Sequence, residues 1–556
     1  MDITHFYPWF KLDGFNSFII LAIILFFVLT LLYSWRFMQG RPGLLRYYSY
    51  ILLTAIASIG TALSNNLILL LVFWGFLGLT LYLLINIDGN NKAAAAAKKT
   101  FIIVGGTDAL MLLGIGIIYY LAGDLQMDRI RLELNSGMAV FAYVCIAFAC
   151  FAKAGAMPFH SWIPDCAESA PVPVVAFLPA SLDKLLGIYL LAKISLALFA
   201  MNLATNMFLM IIGAFTIIAA VMMALVQHNM KRLLGYHAVS QVGYMVLGIG
   251  TGTPIGVAGG IFHMLNHAIY KSCLFFTSGN VERQANTCEL DKLGGLSRAM
   301  PFTYISALIA SLSISGVPPF NGFVSKWMVY QGLISQFEAG NPQPPLIKFI
   351  VILCLAAAMF GSGLTLASFM KLMHATYLGQ PGNRMAAGQG NDVPWAMWLP
   401  CIILAALCVI FGVFAVQIPI KYFIIPAVGN LSFMGTWYAG VSTLLILIGL
   451  AMGFVCFKLR LRPVLRRDAA FTGGEPFTPE EKRVTGTEFY NTIKEWGILK
   501  SLYKKAEAGV FDLYEQGSNF VFGIGKFLQY LHNGVLPTYL VWTLLGMIAL
   551  FWALSK

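Results

Sequence analysis

Charged residues are scarce in this sequence of 556 residues: Asp, Glu, Lys and Arg together make up 11% of it. Soluble globular proteins carry about 25% charged residues. Hydrophobic residues make up 59% of the sequence, and repeated apolar runs of about 20 residues are long enough to cross a bilayer as helices. The composition therefore excludes an ordinary soluble domain and predicts an all-α polytopic membrane protein.

Recognisable cofactor motifs are also lacking. The nine cysteines are scattered, and no pair has the spacing of a zinc site or of a thioredoxin-type redox site. The sequence contains no phosphate-binding loop and no dinucleotide fingerprint. We therefore expect no cofactor and no metal in this chain, and we interpret the cysteines as structural residues.

The apolar runs predict about 14 transmembrane helices. We expect the first run to be a retained span and not a signal peptide, because no small-residue cleavage site follows it. The predicted spans begin near Phe15, Arg46, Asn66, Phe101, Met138, Val172, Asn206, Lys231, Ile255, Pro301, Leu346, Ala396, Trp437 and Leu536.

The net charge of +12 is distributed as in a membrane protein. Lys and Arg concentrate in the loops that follow odd-numbered predicted spans, and the opposite loops hold few. By the positive-inside rule these loops face the cytoplasm and both termini face outside, in a bacterial or archaeal cytoplasmic membrane. The residues that carry this inference are Arg36, Arg41, Arg46, Lys92, Lys98, Lys99, Lys231, Arg232, Arg283, Lys292, Arg298 and Arg384.

Two similar interruptions divide the apolar sequence. "GAMPF" at 155–159 matches "GVPPF" at 316–320, and each lies inside a predicted span, the fifth and the tenth. An offset of five spans turns the second copy over in the membrane, and interrupted helices in inverted repeats are typical of ion-transport sites. The predicted domains are an N-terminal span (1–45), a first repeat (46–200), an inverted second repeat (201–380) and two further spans (381–460).

The segment over residues 461–534 is more polar than the rest. We expect a cytoplasmic loop first. In the second part, apolar residues recur at helical spacing, which predicts an amphipathic lateral helix along a membrane or partner surface, and residues 535–556 are predicted as an anchor span. The lysines on the polar side of the helix are Lys494, Lys500, Lys504 and Lys505.

Ionisable residues occur inside several predicted spans, where they are costly and usually functional. Lys153 and Lys326 each lie close to a helix interruption, where an ammonium group can bond carbonyls that the interruption frees. His263, His267 and Lys271 share one helix face. Lys231 lies near a loop end and could equally be a snorkelling residue. The candidate proton or ion relay residues are Asp108, Lys153, Asp183, Lys184, Lys231, His237, His263, His267, Lys271 and Lys326; no catalytic residue is predicted.

Four stretches together resemble one family, the antiporter-like membrane subunits of respiratory complex I, of cation/proton antiporters and of energy-converting membrane-bound nickel–iron hydrogenases. The resemblance extends from about Leu12 to Gly379. The C-terminal amphipathic helix and final span resemble the lateral arm of the distal complex I subunit. The four stretches are "AKAGAMPFHSWIPDCAESAPVPVVAFL", "VQHNMKRLLGYHAVSQVGYMVLGIG", "GGIFHMLNHAIYKSCLFFTSGNV" and "SGVPPFNGFVSKW".

The resemblance implies two inverted five-helix repeats, each with a half-channel, joined by a central polar axis. Lys153 matches the family's broken-helix lysine, and Lys326 matches the lysine or glutamate of the second broken helix. Lys231 matches the lysine of the central axis. The further matches are His263 and His267, to two histidines of the following helix, and Asp108, to an acidic position of some members.

Two departures from the family pattern concern the N-terminal half. Gly75 stands where the family has the glutamate that pairs with the broken-helix lysine, and Pro179 replaces a histidine. Lys184 is a near counterpart of a family lysine and follows an unusual Asp183. We therefore expect Asp108 to pair with Lys153, directly or through water. The alternative is that the N-terminal half-channel does not conduct.

The favoured hypothesis is a proton- or sodium-translocating subunit, without redox chemistry of its own, in a redox-driven complex. Its partners are then other membrane subunits, including further antiporter-like subunits, lipids, and peripheral redox subunits with iron–sulfur clusters and a nickel–iron centre or quinone. No nucleic acid is expected. The alternatives are a subunit of a stand-alone cation/proton antiporter, and a structural subunit whose N-terminal channel has decayed. The sequence leaves open which ion is carried and whether the chain contributes to an enzyme.

Overall fold

The computed structural model of the chain describes residues 9–338, 344–380, 392–429, 431–433, 438–460, 473, 475–476 and 486–555. Contacts divide the chain into two units, Met1–Glu495 and Trp496–Lys556. Most of the predicted cytoplasmic loop over 461–485 lies outside the described residues, as do Arg384 and the predicted start of a span at Trp437.

Nearly all regular structure in the first unit is helical. Four π-helical segments extend or join helices: Leu178–Leu182, Ile194–Leu198, His374–Leu378 and Val416–Ile424. Strands β1 (Leu132–Glu133) and β2 (Phe199–Ala200) pair in parallel. The helices are α1 (Gly14–Phe37), α2 (Leu44–Leu63), α3 (Leu67–Ile85), α4 (Asn91–Ala122), α5 (Gly137–Ala154), α6 (Trp162–Ser169), α7 (Val172–Phe177), α8 (Asp183–Lys193), α9 (Leu203–Leu225), α10 (Met230–Gly250), α11 (Pro254–Ala285), α12 (Pro301–Ser315), α13 (Asn321–Glu338), α14 (Pro345–Met373), α15 (Trp395–Val413), α16 (Ile425–Val428), α17 (Ala439–Arg460) and α18 (Asn491–Glu495).

Most predicted span starts lie within three residues of a helix start. The largest difference is at α4, which begins at Asn91 and not near Phe101. The residues before Phe101 include a run of five alanines, the strongest helix formers, and the Asn90 side chain caps the first turn by accepting a bond from the Ala93 N–H at 2.8 Å. Helix propensity and a cap therefore extend this helix beyond its apolar segment.

Nine of the described helices are long and apolar enough to cross a membrane. Predicted spans outside this set include α10 and α11, which are long but carry buried polar side chains such as Gln241 and His267. Their lower hydropathy thus has a structural reason, because these polar groups face the interior of the helix bundle. The count of 14 spans stays a prediction.

Both predicted interruptions are breaks between two helices, α5 and α6 in the first case and α12 and α13 in the second. Each first helix ends at a glycine with a left-handed backbone, Gly155 with φ 83° and Gly316 with φ 79°. The amide after each glycine bonds the carbonyl five residues back, Ala156 to Phe151 at 2.8 Å and Val317 to Leu312 at 3.0 Å. A glycine is needed because other residues rarely adopt this conformation.

One face of the first unit gathers the loops that follow the first, third, fifth, seventh and ninth predicted spans. They surround a cleft of about 250 Å³. The opposite face holds the bridges Phe10–Ser64 and Asn66–Gln126. The helices therefore alternate in direction as predicted. The cleft is lined by Phe37, Arg41, Asp88, Asn90, Lys92, Glu168, Ser169, Ala170, Pro171, Lys231 and Glu282.

Backbone contacts recur at a constant spacing of 163 residues. Asn66 caps α3 and forms an antiparallel bridge with Gln126, and Asn229 caps α10 and bridges Glu289 in the same way. Between them lie α4 and α11, each of 32 residues, whose starts and ends are also 163 positions apart. The two matching sets of contacts lie on opposite faces of the first unit: Asn229 is beside the cleft, and Asn66 is at the other face.

The second unit comprises α19 (Gly497–Glu507), α20 (Leu513–Leu531) and α21 (Leu536–Leu554). The single lateral helix predicted over this region is therefore divided into two. Gly509 has a left-handed backbone with φ 73°, and the Asp512 side chain caps α20 by accepting a bond from the Tyr514 N–H. A helix-ending glycine and an N-cap aspartate explain the division.

Candidate functional site

Lys153 lies at the end of α5, one turn before the break, and is completely buried. Its ammonium group donates to the Trp74 carbonyl oxygen at 3.3 Å and lies 5.2 Å from the centroid of the Trp74 ring. Among the described residues no carboxylate lies within ion-pair distance of it. The carboxylates that act on it electrostatically are those of Asp183 and Asp108.

Asp108 on α4 forms no direct ion pair with Lys153, which was one of the two forms of pairing expected from the sequence. Its Oδ1 accepts a hydrogen bond from the Trp74 indole N–H at 2.9 Å, and its charge still acts on Lys153 through space. Trp74 thus bonds both residues, through its side chain on one side and its backbone carbonyl on the other. The functional pairing of Asp108 with Lys153 stays a prediction.

Asp183 and Lys184 begin α8 directly after the π-helical segment Leu178–Leu182. Pro179 lacks a backbone N–H, which favours this wider turn, and Ser181 Oγ bonds the Ala176 and Phe177 carbonyl oxygens. Both ionisable residues are completely or almost completely buried. Asp183 acts electrostatically on Lys153 and Lys184.

Several polar atoms of this region find no hydrogen-bond partner among the described residues. They belong to side chains of α8, α10 and α11, which pack on one another within the bundle. Buried polar groups are ordinarily satisfied, commonly by internal water, so this cluster is distinct from the apolar core. The atoms are Asp183 Oδ2, Lys184 Nζ, Lys271 Nζ, both ring nitrogens of His267, Nδ1 of His237 and Nε2 of Gln241.

Lys271 lies at the centre of this group. Its ammonium group acts electrostatically on Lys184 of α8 and on His237 of α10. It is also 5.8 Å from the ring centroid of Phe369. His237 Nε2 bonds Ser368 Oγ at 2.7 Å. Side chains from α8, α10, α11 and α14 therefore meet around Lys271.

His263 connects α11 with α10 and α13. Its Nδ1 is 2.9 Å from Ser325 Oγ, and its Nε2 is 3.2 Å from Gln241 Oε1. Lys326 follows Ser325 and donates to the Ile314 carbonyl oxygen at 2.8 Å, at the end of α12. Its ammonium group also lies 4.7 Å from the ring centroid of Tyr244. As expected for a lysine beside a break, Lys326 bonds a carbonyl that the interruption frees.

Lys231 differs from the other candidate lysines. It is 7% exposed at the edge of the cleft, and its ammonium group pairs with Glu282 at 3.2 Å. Its neighbour Arg232 pairs with Asp165 and Glu168, at 3.1 and 3.0 Å, and Lys99 also reaches Asp165, at 2.6 Å. The structure thus pairs Lys231 with Glu282 at the edge of the cleft, apart from the buried group around Lys271.

Some residues of the site carry no signal in the sequence. Trp74, Gln241 and Ser325 look like ordinary packing or helix residues, and only their partners from other helices give them a role. Asp165 and Glu168 follow the break and could have been suspected as partners of Arg232. No group of three or more His, Cys, Asp and Glu placed to hold a metal ion occurs among the residues that the structure describes.

Comparison with known proteins gives a consistent family. The transmembrane family described as NADH:quinone oxidoreductase/Mrp antiporter matches residues 64–339. A Na⁺/H⁺ antiporter subunit A1 from Staphylococcus haemolyticus is 31% identical over 421 residues, which are 72% of this chain and 52% of that protein. Hydrogenase-4 component B from Escherichia coli is 28% identical over 424 residues, 73% of this chain and 62% of that protein. The chain thus spans less than two thirds of either relative.

Two solved structures share the fold. A chain of the Mrp complex from Dietzia sp. matches with a TM-score of 0.68 at 20% identity, over 77% of this chain and 87% of that chain. A chain of the membrane-bound sulfane sulfur reductase, an archaeal respiratory membrane complex, matches with a TM-score of 0.77 at 23% identity, over 98% of this chain and 89% of that chain.

Proposed function

We propose that this chain, whose residues 64–339 match the NADH:quinone oxidoreductase/Mrp antiporter family and which is similar to antiporter and hydrogenase subunits, translocates protons or sodium ions within a redox-driven membrane complex. It carries no redox chemistry itself in this proposal. Iron–sulfur clusters and a nickel–iron centre or quinone belong to partner subunits.

The observation that carries the proposal is the series of buried ionisable side chains between the two helix breaks. Placing one charged side chain at the centre of a membrane helix costs about 3 kcal/mol on insertion scales, so a chain that holds several retains them for a function. The series runs from Lys153 through Asp183, Lys184, His267, Lys271, His237 and His263 to Lys326, and none of these residues is more than 2% exposed.

The contacts suggest an order of transfer. Water bridges between the unpartnered atoms of Lys184, His267 and Lys271 would join the two halves, since a water can link groups that do not touch. Beyond Lys326, the hydroxyls of Tyr244 and Tyr330 both bond Ser362. Tyr330 is partly exposed, and it extends the polar path along α13 toward the face opposite the cleft. We propose that ions are released at the face opposite the cleft.

We further propose that the two halves are inverted repeats. The constant spacing of 163 residues, the matched caps at Asn66 and Asn229, and the glycine-ended breaks on α5 and α12 support this. By the same spacing, Trp74 and Asp108 correspond to His237 and Lys271. The first half therefore has an indole and a carboxylate where the second half has an imidazole and an ammonium.

In this proposal the cleft faces the cytoplasm and receives ions. Its basic loops support that orientation by the positive-inside rule, and both termini then lie outside. Lys231 and Glu282 lie at its edge, and Lys231 is proposed to pass ions inward. The lateral helices α19 and α20 are proposed to dock along sister membrane subunits.

A redox-driven complex is favoured over a stand-alone antiporter by one feature of the comparisons. The likeness to the sulfane sulfur reductase chain extends over 98% of this chain, whereas the likeness to the Mrp chain extends over 77%. The stand-alone antiporter remains the second candidate, because the antiporter subunit A1 is 31% identical. The third candidate is a structural subunit with a decayed N-terminal channel, which Gly75 suggests.

Purification from native membranes tests the proposal. We expect the chain to copurify with further antiporter-like subunits and with peripheral redox subunits, and the complex in liposomes to translocate ions when the redox reaction runs. Copurification with small membrane subunits alone, together with transport driven by an ion gradient, would favour the stand-alone antiporter. Transport that requires Na⁺ would identify sodium as the ion.

A further inference from the structure

Helix α11 carries a second polar stripe that the proposed relay does not use. Its members follow one another at intervals of three and four positions, so they share one face of the helix, distinct from the face that holds the two histidines and Lys271. The stripe extends over about 21 Å of the helix, and all of its side chains are completely buried. Its members are Asn266, Tyr270, Cys273, Thr277 and Asn280.

Helices α12 and α15 pack on α11 and on each other, and both bring polar groups to this stripe. Asn280 Nδ2 donates to Thr303 Oγ1 of α12 at 3.0 Å and lies 3.6 Å from Cys401 Sγ of α15. Cys273 Sγ lies 3.4 Å from the Cys401 carbonyl oxygen and 3.7 Å from that of Ser306. Polar groups of three helices therefore meet along one line, which we call the α11 seam. The residues that define it are Thr303, Asn280, Cys401, Cys273, Cys408 and Tyr270.

One end of the seam reaches the cleft face of the first unit. Thr303 is near the start of α12, which follows the ninth predicted span, and its hydroxyl donates to Asp392 Oδ1 at 2.7 Å. Asp392 is partly exposed there. The Tyr377 hydroxyl is buried near Cys401 and lies beside Thr277, but it completes no hydrogen bond within the described part of the chain. Such buried groups are commonly satisfied by internal water, which indicates that this end of the seam is hydrated.

The other end of the seam reaches the proposed relay. Cys408 follows Cys401 by two turns on the same face of α15, and it acts electrostatically on Tyr270. The Tyr270 hydroxyl lies 3.3 Å from His263 Nε2. Polar side chains thus follow one another from Asp392 to His263 without passing through the first half of the chain.

We propose that the α11 seam is a second, hydrated access path, which carries protons from Asp392 at the cleft face to His263. Its described lining offers hydroxyl, thiol and amide groups but no carboxylate between these two ends, so it suits protons and not a dehydrated metal cation. In the last step the Tyr270 hydroxyl gives its proton to His263 Nε2, and a water of the seam returns a proton to the Tyr270 oxygen. The inference rests on the proposed function, because it adds an access path to that relay.

Lys271 remains necessary in this arrangement. A permanently open path from the cleft face to the release side would dissipate any ion gradient, so protons that reach His263 must wait for a change of charge nearby. Lys271 lies two turns from His263 on the same helix face, and it joins this half to the series that begins at Lys153. The seam therefore supplies protons to the second half, and Lys271 controls when they leave.

Three native cysteines report directly on the hydration of the seam. We expect a small water-soluble methanethiosulfonate to modify Cys273, Cys401 and Cys408 in the purified complex about tenfold faster than Cys354, because access to water governs the rate. Cys354 is the matched control, since it is 3% exposed but lies in a hydrophobic cluster. Mass spectrometry of the peptides gives each rate without any substitution. Rates no faster than that of Cys354 would show that the polar groups only hold the helices together and would overturn the proposal.

Transport is measured separately on isosteric variants. Thr303→Val removes the hydroxyl at the cleft end of the seam, and Tyr270→Phe removes the one at the relay end. We expect each to lower the initial rate of proton translocation by the complex in liposomes about tenfold. Thr365→Val on α14 is the matched control, because its buried hydroxyl bonds the Gly361 carbonyl oxygen of its own helix, and it should transport normally.

The two measurements separate this inference from the proposed function. Normal transport by both Thr303→Val and Tyr270→Phe would overturn the seam as a proton path. Reactive seam cysteines in a complex that translocates no protons would instead count against the proposed function.

Discussion

Lys153 and Trp74 contact each other twice: the ammonium group donates to the Trp74 carbonyl oxygen at 3.3 Å and lies 5.2 Å from the centroid of its ring. The same indole donates to Asp108. The lysine of the broken helix is thus held by a carbonyl and an aromatic face, and the carboxylate reaches it through one intervening residue.

The intermediary role of Trp74 can be tested without disturbing Lys153. Trp74→Phe keeps the backbone carbonyl and an aromatic face but removes the indole N–H, so Asp108 loses its donor. We expect transport by the reconstituted complex to fall about threefold to tenfold, and Lys153→Ala to fall further. The double variant Asp108→Asn with Lys153→Ala should be little worse than Lys153→Ala, as coupled sites behave. Normal transport by both Trp74→Phe and Asp108→Asn would show that Asp108 does not take part in the relay.

Asp183 is the carboxylate with the largest effect on Lys153, and it also acts on Lys184. Asp183→Asn leaves two buried ammonium groups without this counter-charge, so we expect lower thermal stability and transport reduced about a hundredfold. Asp165→Asn is the control, because the Asp165 side chain is partly exposed and the loss of its ion pairs should cost about 1 kcal/mol or less. Equal effects of the two variants would contradict a special role for Asp183.

Lys326 and Lys371 are both almost completely buried, but their contacts differ. Lys371 donates to the Leu225 and Gln227 carbonyl oxygens, at 2.6 and 2.7 Å, and so caps the end of α9. Lys371→Met should therefore lower the melting temperature and leave the transport rate per folded complex unchanged. Lys326 donates to a single carbonyl oxygen, that of Ile314, and belongs to the proposed relay, so Lys326→Met should lower the melting temperature less and abolish most of the transport. Thermal unfolding and transport rates are measured on both variants. Lost transport in Lys371→Met, or unchanged transport in Lys326→Met, would contradict these roles.

The orientation of the cleft can be measured by cysteine labelling. After Cys456, the exposed native cysteine, is replaced by Ser, single cysteines are introduced as Lys92→Cys at the cleft and Arg131→Cys at the opposite face. We expect an impermeant reagent to label only Arg131→Cys in intact cells and both variants after permeabilisation. Labelling of Lys92→Cys in intact cells would reverse the assigned orientation.

The segment Gly486–Tyr490 precedes the C-terminal helices and is bonded to other parts of the first unit. Tyr490 donates to the Ala367 carbonyl oxygen at 2.9 Å, and Thr487 donates to Asp291. Burial raises the pKa of Asp291, but the bonds from Thr487 and His228 outweigh it, so the pKa lies below its ordinary value. The stabilisation is therefore fully present above the ordinary pKa and is lost only as the pH falls through the lowered pKa.

Limited proteolysis of this segment provides the measurement. We expect its cleavage rate at about pH 8 to rise in Asp291→Asn, because the substitution removes the ionised carboxylate that Thr487 and His228 bond. Asp124→Asn on the opposite face is the control and should not change it. An unchanged rate in Asp291→Asn would show that Tyr490 alone suffices to hold the segment.

The sequence predicted the breaks after Lys153 and Gly316 because Gly and Pro interrupt apolar runs visibly. It also predicted the shared face of His263, His267 and Lys271, since that follows from helical spacing alone. It could not predict that Trp74 intervenes between Asp108 and Lys153. That arrangement depends on how α3 packs against α4, and periodicity within one helix carries no information about a neighbouring helix.

Two of the differences have visible signals in the sequence. The alanine run and Asn90 indicate the early start of α4, and Gly509 with Asp512 indicates the division of the lateral helix. The ion pair of Lys231 is of another kind, because it joins Lys231 to Glu282, 51 positions away. Such a pair becomes visible only when α10 and α11 are placed side by side.

Lys271 is the residue through which one buried polar series is proposed to join the two halves. Its ammonium group acts electrostatically on Lys184 toward the first break and on His237 in the second half, and it finds no hydrogen-bond partner among the described residues. The deciding experiment measures the initial rate of proton translocation by the purified complex with Lys271→Met, reconstituted in liposomes. We expect normal assembly and a rate lowered by about a hundredfold; an unchanged rate would show that Lys271 does not join the two halves.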